Sequence, residues 1–296
     1  MSEDKLSIKT KIFDIFRSIF LVKSLEELLR QFTAGKEFGT LVTKLPPNHY
    51  QYKKGVIRTI KVNDIYFELD ISDLVEWYIY WGFEEASRNT LLSLIKQGFF
   101  VIDVGANVGA VTLSAAQRCG SSGRVLSFEI DSDNFKKLKR NCELNTFLNI
   151  QLVKKGCGSK AEDVYVEKVT ENNAGKNRVC TAPTMQIKQG KNAEIIVLDD
   201  FIKTTDFKKV DLIKIDTEGY EVNVLKGAEK IIKLQKPILF IELDDNNLKH
   251  FNSSAKALVS YLYALGYIVT HAVDRKIIAE EGDFTHCHYD IVAVNK

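Results

Sequence analysis

The sequence predicts an α/β fold built on a seven-stranded, mostly parallel sheet with an antiparallel last strand. An apolar run ending at Val104 turns at Gly105 and Gly109 and continues as a helix, the strand–turn–helix opening of a nucleotide-binding fold. Later apolar runs end in acids, as strands lining a ligand crevice do. A loop alone separates the last two strand-like runs, so these strands must pair antiparallel.

The composition is typical of a globular protein without a general nucleic-acid surface. The chain has 296 residues, 45% of them hydrophobic and 27% charged, with a formal net charge of +2. This length suffices for one large α/β domain with an extension, and the near-neutral charge disfavours binding to RNA or DNA. The five scattered cysteines form no C-x-x-C pair, so we expect a cytoplasmic protein.

Three segments are expected: an amphipathic helical segment 1–45, an extension 46–97 with a β-hairpin and aromatic-rich helices, and a main domain 98–296. Apolar residues recur at helical spacing over residues 6–32, whose polar positions carry lysines. We expect this helix to dock on the main domain or on a second copy of the chain. A peripheral location on a membrane surface is the alternative.

Shorter sequence patterns predict the positions of the remaining helices, strands and loops. Ser24 and Glu27 have capping-box spacing within the first helix, and Asn63-Asp64 predicts the turn of a hairpin. The polar stretch 170–193 is expected to be a lid, a recognition loop or a plain surface loop. Strands are predicted at 99–104, 124–129, 149–153, 210–215, 237–244, 267–273 and 289–294, and helices at 85–96, 110–117, 131–144, 218–235 and 255–265.

The first glycine turn contains a motif that predicts a particular ligand. Its order, Asp103-x-Gly105-x-Asn107-x-Gly109, resembles the first motif of class I S-adenosylmethionine-dependent methyltransferases, with Asn107 in place of the middle glycine. Gly105 allows a tight turn, and Gly109 lets the helix backbone approach a ligand. Asp103 suits the cationic amine of the ligand's methionine part, directly or through water.

The second strand and the turn after the third suit an adenosine. Glu129 ends its strand 20 residues beyond Gly109, where an acid accepts hydrogen bonds from both ribose hydroxyls. We assign Ile130, its neighbour, to the same cofactor site. Cys157 lies in a turn of small residues, 156–159, where an adenine ring fits without steric conflict.

A second chemical centre lies at 210–221. Lys214 and Asp216 are two apart on a predicted strand and therefore share a face, and Glu218 follows them. The buried lysine needs a partner, which Asp216 or Glu242 can supply. An ion-pair network or a Mg²⁺ ion held by Asp216, Glu218 and Glu242 is the alternative; the prediction is that no metal is bound. We interpret 286–288 (His-Cys-His) as strand alternation rather than a metal site.

These motifs together resemble FkbM-type methyltransferases, and the resemblance runs from about Val62 to Val273. It is carried by the stretches 101–109 (VIDVGANVG), 128–131 (FEID), 197–202 (VLDDFI), 211–221 (DLIKIDTEGYE), 224–228 (VLKGA) and 237–242 (PILFIE). The resemblance implies S-adenosylmethionine as cofactor and O-methylation of a hydroxyl on a sugar, polyketide or similar natural product. It implies cofactor roles for Asp103, Gly105, Asn107 and Glu129, and places Asp216 beside the transferred methyl.

Our mechanistic hypothesis is that Asp216, with Lys214 and Glu242, orients or deprotonates the acceptor hydroxyl. The expected partner is a hydroxyl-bearing small molecule or glycan. The alternatives are an RNA methyltransferase, an NAD-dependent dehydrogenase and a non-catalytic protein of the same fold. The near-neutral net charge argues against an RNA methyltransferase. The glycine spacing and the antiparallel last strand argue against a dehydrogenase, and the acids at three strand ends argue against a non-catalytic protein.

Overall fold

The computed structural model describes residues 7–146, 148–170, 173–180, 193–206 and 209–295. It comprises two compact units. The first unit contains residues 1–85 with 170–175, and the second contains residues 86–169 with 176–296.

The first unit combines two N-terminal helices with a hairpin and a third helix. Its elements are α1 (Ile8–Arg17), α2 (Lys23–Thr33), β1 (Ile57–Val62), β2 (Ile65–Asp70) and α3 (Leu74–Trp81). The predicted hairpin is confirmed, and Asn63 and Asp64 both adopt the positive φ that a tight hairpin turn requires. The predicted capping box is wrong: α2 begins at Lys23 without a side-chain cap, after a 3₁₀ turn that interrupts the long helix.

Most of the aromatic run in this unit is core. Trp77, Tyr80, Trp81 and Phe83 are all buried. The Tyr80 hydroxyl donates to Glu26 of α2, and Arg58 of β1 pairs with the same carboxylate. The aromatic residues therefore hold α2, α3 and the hairpin together.

The second unit contains the predicted seven-stranded sheet. Its strands are β3 (Phe100–Val104), β4 (Arg124–Phe128), β5 (Ile150–Val153), β10 (Leu212–Ile215), β11 (Ile238–Asp244), β12 (Tyr267–His271) and β13 (His288–Asn295). They lie in the order β12-β13-β11-β10-β3-β4-β5. Neighbouring strands from β11 to β5 are parallel, and β13 is antiparallel to both of its neighbours, which confirms the fold class.

Helices cover both faces of this sheet. They are α4 (Ala86–Leu94), α5 (Ala110–Cys119), α6 (Ser132–Glu143), α7 (Leu198–Lys203), α8 (Glu221–Gly227), α9 (Glu229–Gln235), α10 (Asp245–Lys249) and α11 (Ala255–Ala264). Alternate residues of β3 enter separate cores: Ile102 packs in the larger core, which also receives α8, α9 and α11, and Val101 packs with α4 and α5. Burial on both faces explains why β3 is apolar in the sequence except at Asp103.

Two local predictions were wrong. The single helix predicted at 218–235 is divided, because Ala228 leaves the helical region with φ −111° between α8 and α9. The small-residue segment predicted as a turn contains the short strand β6 (Gly156–Cys157). It belongs to a four-stranded sheet with β7 (Glu162–Glu167), β8 (Arg178–Cys180) and β9 (Ala193–Ile196), in the order β6-β9-β7-β8. The predicted insert at 170–193 falls partly outside the described residues.

Candidate active site at the carboxyl edge of the sheet

The candidate site lies where the three central strands β3, β10 and β11 end. Ile215 of β10 is in register with Val104 of β3 on one side and with Ile241 of β11 on the other. The residues that follow, Gly105, Asp216 and Glu242, therefore reach the same edge of the sheet. Parallel α/β sheets bind ligands at this edge.

The glycine turn after β3 is shaped by its neighbours. A Cβ on Gly105 would lie 1.8 Å from the carbonyl oxygen of Asp216, so this position accepts only glycine where the two strand ends meet. Gly109 has φ +96° and would place a Cβ 2.7 Å from a methyl of Leu138 in α6. Asn107 between them also adopts positive φ, at 50°. The alternating left-handed residues turn the backbone sharply into the N-terminus of α5.

Glu129 fastens this turn to the end of β4. One carboxylate oxygen accepts the Asn107 N–H at 2.7 Å, and the other accepts the Asp131 N–H at 2.8 Å. Burial raises the pKa of Glu129 to about 7, and these two backbone bonds lower it only in part. Each oxygen still has a free lone pair that can accept a hydroxyl.

Asp103 lies wholly inside the protein beneath the turn. Its carboxylate accepts the Thr112 hydroxyl at 2.6 Å, and the Thr112 and Ser127 hydroxyls lie 2.9 Å apart. Its other oxygen lies 3.3 Å from the Lys214 ammonium. A buried carboxylate needs such partners, so Asp103 links β3, α5 and β10.

Lys214 connects the glycine turn after β3 to the acids of the neighbouring strand. The residue is 5% exposed, and its ammonium donates to the Gly105 carbonyl at 2.7 Å. It lies 3.3 Å from Asp103 and 3.4 Å from Asp216. Burial alone would lower the pKa of Lys214, but these two carboxylates together raise it above its usual value. The lysine is therefore a permanent cation.

Three acids converge beside this lysine. Asp216, Glu218 and Glu242 each place a carboxylate oxygen within 4.8 Å of the others, an arrangement that could hold a divalent cation. The Asp216 side chain is 45% exposed. One oxygen of Glu242 is buried and has no hydrogen-bond partner among the described residues. Glu218 sits at φ +53°, and Asn247 donates to its carboxylate at 2.8 Å.

Mutual repulsion shifts the titration of this cluster. Burial raises the pKa of Glu218 to about 8, and the nearby charges of Asp216 and Glu221 act in the same direction. Burial and the charges of Asp216 and Glu218 likewise raise the pKa of Glu242. The cluster therefore retains protons that isolated carboxyls would lose near neutral pH.

Comparison with known protein families identifies the family to which the chain belongs. The family model described as "Methyltransferase FkbM domain" matches residues 103–269, more than half of the chain. The chain belongs to the FkbM methyltransferase family. Residues 103–269 therefore form a methyltransferase domain, whose cofactor is S-adenosylmethionine.

Two curated relatives are also methyltransferases. The chain is 30% identical over 143 residues to hexuronic acid methyltransferase AglP of Haloferax volcanii, covering 48% of this chain and 55% of that protein. It is 28% identical over 148 residues to methyltransferase 1 of Beauveria bassiana, covering 44% and 58%. The chain thus spans little more than half the length of each relative.

Solved structures of methyltransferases give weaker matches. Methyltransferase FkbM from Methylobacillus flagellatus has a TM-score of 0.41 and 18% identity, covering 68% of this chain and 44% of that chain. An S-adenosylmethionine-dependent O-methyltransferase from Thermotoga maritima has a TM-score of 0.42 and 15% identity, covering 83% and 79%. The family assignment does not rest on these matches.

The residues around the turn fit the cofactor of this methyltransferase. The side-chain oxygen of Asn107 is buried and has no hydrogen-bond partner within the described part of the chain. It therefore remains able to accept a hydrogen bond, as do the oxygens of Glu129. Ile130 packs close to Gly156, where an added Cβ would lie 2.7 Å from its terminal methyl. Cys157 is 2% exposed within the main core, so its thiol is not available to a ligand.

Sequence reasoning assigned His288 only to strand alternation and missed its position beside the acids of β11. Its ring nitrogen lies 2.8 Å from Asp244 and 4.0 Å from Glu242, because β13 pairs antiparallel with β11 and sets His288 opposite Asp244. The register of that pairing was the missing information. Thr112 and Ser127, the buried partners of Asp103, were also missed, since nothing in a single sequence distinguishes a buried hydroxyl from an exposed one.

Proposed function

We propose that this enzyme methylates a hydroxyl of a sugar or a similar hydroxyl-rich natural product. The observation that carries the proposal is the half-exposed carboxylate of Asp216, which lies beside a buried cation and two further carboxyls at the edge next to the cofactor turn. An O-methyl transfer needs a group to accept the hydroxyl proton. Carboxylates also suit a ligand that is rich in hydroxyl donors.

The cofactor would be held along the turn after β3. Glu129 accepts the ribose hydroxyls, the turn from Gly105 to Gly109 surrounds the methionine end, and Ile130 with the backbone of Cys157 borders the adenine. Asp103 acts from below, because its carboxylate is fully buried and already bonded to Thr112. We therefore assign Asp103 to fixing the turn rather than to direct contact.

When bound, S-adenosylmethionine supplies an electrophilic methyl on a sulfonium. Asp216 would orient the acceptor hydroxyl and take its proton as the carbon–oxygen bond to the methyl forms and the carbon–sulfur bond breaks, with S-adenosylhomocysteine as the leaving group. Lys214 stays protonated and balances the charge of Asp216 from 3.4 Å. Glu242, whose buried oxygen lacks a partner among the described residues, binds a second hydroxyl of the same acceptor.

A sugar acceptor is also supported by a relative. The curated protein at 30% identity is described as a hexuronic acid methyltransferase. An RNA acceptor is disfavoured, since three converging carboxyl groups would repel phosphates and the net charge is only +2.

The test separates cofactor binding from chemistry in the full-length protein. Calorimetry with S-adenosylhomocysteine measures the first, and a methyl-transfer screen over neutral hexoses, hexuronic acids and short RNA measures the second. Asp216→Asn should bind S-adenosylhomocysteine with unchanged affinity and lose about 10²–10⁴-fold in turnover.

The exposed Asp163 on β7 offers a matched control. Asp163→Asn changes the same functional group on an exposed strand position and should leave turnover unchanged. Full turnover by Asp216→Asn would remove Asp216 as the base. Turnover on RNA but on no sugar would overturn the substrate proposal.

A further inference from the structure

Helix α1 contacts its unit through its polar side. The Asp14 carboxylate accepts the Asn48 amide and the Tyr50 hydroxyl, each at 3.0 Å. Arg17 pairs with Asp14 at 2.9 Å and donates to the Lys44 carbonyl at 2.8 Å. Asp14 and Arg17 are partly buried, and they lie three residues apart on the same side of the helix.

The opposite side of α1 is apolar and faces outward. Helix α1 has no buried residue. Ile8 and Ile15 are 78% and 72% exposed, and Phe16 is 71% exposed. The complete set of exposed apolar side chains on α1 and the 3₁₀ turn after it is Ile8, Ile12, Phe13, Ile15, Phe16, Ile19 and Leu21. We call this set the α1 apolar face.

This arrangement is the reverse of an ordinary surface helix, which packs its apolar stripe against the core. Ser7 caps the helix through the Thr10 N–H, so α1 is a regular capped helix and not a frayed end. Of the nineteen exposed large apolar side chains among the described residues, thirteen lie between residues 8 and 45. Such concentration marks an interaction surface.

Charge indicates what covers this face. The exposed charged residues of 7–23 are Lys9, Lys11 and Lys23, and the one acid of that range, Asp14, is turned inward and bonded. Lys9 is three residues before Ile12, and Lys11 is four before Ile15, so the lysines border the α1 apolar face. A partner must therefore be both apolar and negatively charged at its rim.

We propose that the α1 apolar face binds an anionic lipid surface. The phenylalanine and isoleucine side chains enter the boundary between headgroups and acyl chains, and the bordering lysines contact anionic headgroups. A second copy of the chain fits less well, because two such faces packed together would oppose lysines without acids. Helix α1 has 10 residues, about half of what a membrane-spanning helix needs, so on a bilayer it would lie along the surface. Among the described residues, no helix has the length and apolarity needed to cross a bilayer.

Vesicle co-sedimentation of the full-length protein tests the proposal. Vesicles of phosphatidylcholine with 30% phosphatidylglycerol are compared with phosphatidylcholine alone, at low and at 0.5 M salt. We expect binding at least tenfold stronger to the anionic vesicles, weakened by salt. Ile12→Asp with Phe16→Asp should abolish pelleting, and Lys9→Glu with Lys11→Glu should reduce it about tenfold or more on anionic vesicles.

Matched controls change the same residue types elsewhere. Leu234→Asp with Ile277→Asp removes two exposed apolar side chains that lie outside the face, and Lys226→Glu with Lys230→Glu makes the same change of charge in the second unit. Both should pellet like the unchanged protein. Far-UV circular dichroism and thermal unfolding verify that every variant keeps its helices, and calorimetry with S-adenosylhomocysteine verifies that the second unit still binds its ligand.

Two results would overturn the proposal. One is equal pelleting of the unchanged protein and the Ile12/Phe16 variant. The other is absence of pelleting together with a dimer, measured by light scattering, that dissociates in the Ile12/Phe16 variant; the face would then join two copies of the chain.

Discussion

The two halves of the active-site edge differ in how far the protein satisfies its own charges. On the cofactor half, Asp103 and Glu129 are buried, and each carboxylate is bonded to hydroxyls, to backbone N–H groups or to Lys214. On the acid half, Asp216, Glu218 and Glu242 crowd together, and one buried oxygen has no hydrogen-bond partner among the described residues. The carboxylates of the cofactor half are therefore paired within the protein, whereas those of the acid half repel one another.

This difference shows where a ligand contributes most. The carboxylates of the cofactor half bond to groups of the protein itself, and these bonds set the shape of the turn. The acid half gains when a hydroxyl-rich ligand donates to its carboxyls, because unpaired buried acceptors are unfavourable. The Lys214 side chain contacts both halves.

The largest expected effect comes from removing Lys214. Lys214→Met leaves the Asp103 carboxylate buried beside an apolar group, which should lower the free energy of unfolding by about 3–5 kcal/mol. Urea unfolding measures it, with the exposed Lys226→Met as control. A loss below about 1 kcal/mol would mean that the two halves are not joined through this lysine.

Gly105→Ala tests the close approach of the two strand ends. An added Cβ would meet the Asp216 carbonyl at 1.8 Å, at a residue with φ +83°. We expect a loss of about 1–3 kcal/mol in stability and weaker binding of S-adenosylhomocysteine. Gly55→Ala has nearly the same φ, +80°, with nothing within 4 Å. Equal losses in the two variants would assign the effect to backbone conformation alone.

The acid half should also make stability depend on pH. The pKa of Glu218 is about 8 in the folded protein against an ordinary 4.5, so the folded state binds more protons across that interval. Stability attributable to Glu218 therefore falls as the pH rises from about 4.5 to about 8. Glu129, with a pKa of about 7, contributes in the same direction up to that pH.

Glu218→Gln removes the ionisation but can still accept the Asn247 amide. The variant should have the same Tm as the unchanged protein at pH 5 and a higher Tm at pH 8. The increase should be about 2–4 °C for each kcal/mol of charge repulsion that the substitution removes. The exposed Glu280→Gln is the control and should leave the pH dependence unchanged. A Tm that rises with pH and is lowered by Glu218→Gln at pH 8 would contradict the repulsion.

The smallest expected effect is that of metal removal. Lys214 already places a positive charge 3.4 Å from Asp216, and protons on Glu218 and Glu242 relieve the rest of the cluster. Turnover should therefore be unchanged in EDTA. Loss of turnover that Mg²⁺ restores would show that the acid half is a metal site.

Much of this edge could be predicted from the sequence because the relevant groups lie within or directly after the last residues of predicted strands. Asp103, Glu129, Asp216 and Glu242 were found in this way, since parallel strands carry their last residues to one edge. His288 was not found, because its position depends on the register between β13 and β11. Cys157 was expected at an open turn, but the pairing of β6 with β9 buries its thiol.

The sequence alone determined the strands of the seven-stranded sheet, the antiparallel pairing at its end and most of the helices that cover it, because local periodicity and glycine spacing encode them. The tertiary structure alone decided which side of α1 faces outward. The same helical pattern allows either orientation, and the choice depends on Asp14 finding Asn48 and Tyr50, more than thirty residues away. It also decided that Lys214 pairs with Asp103 as well as with the predicted Asp216, because the pairing of β3 with β10 brings Asp103 beside the lysine.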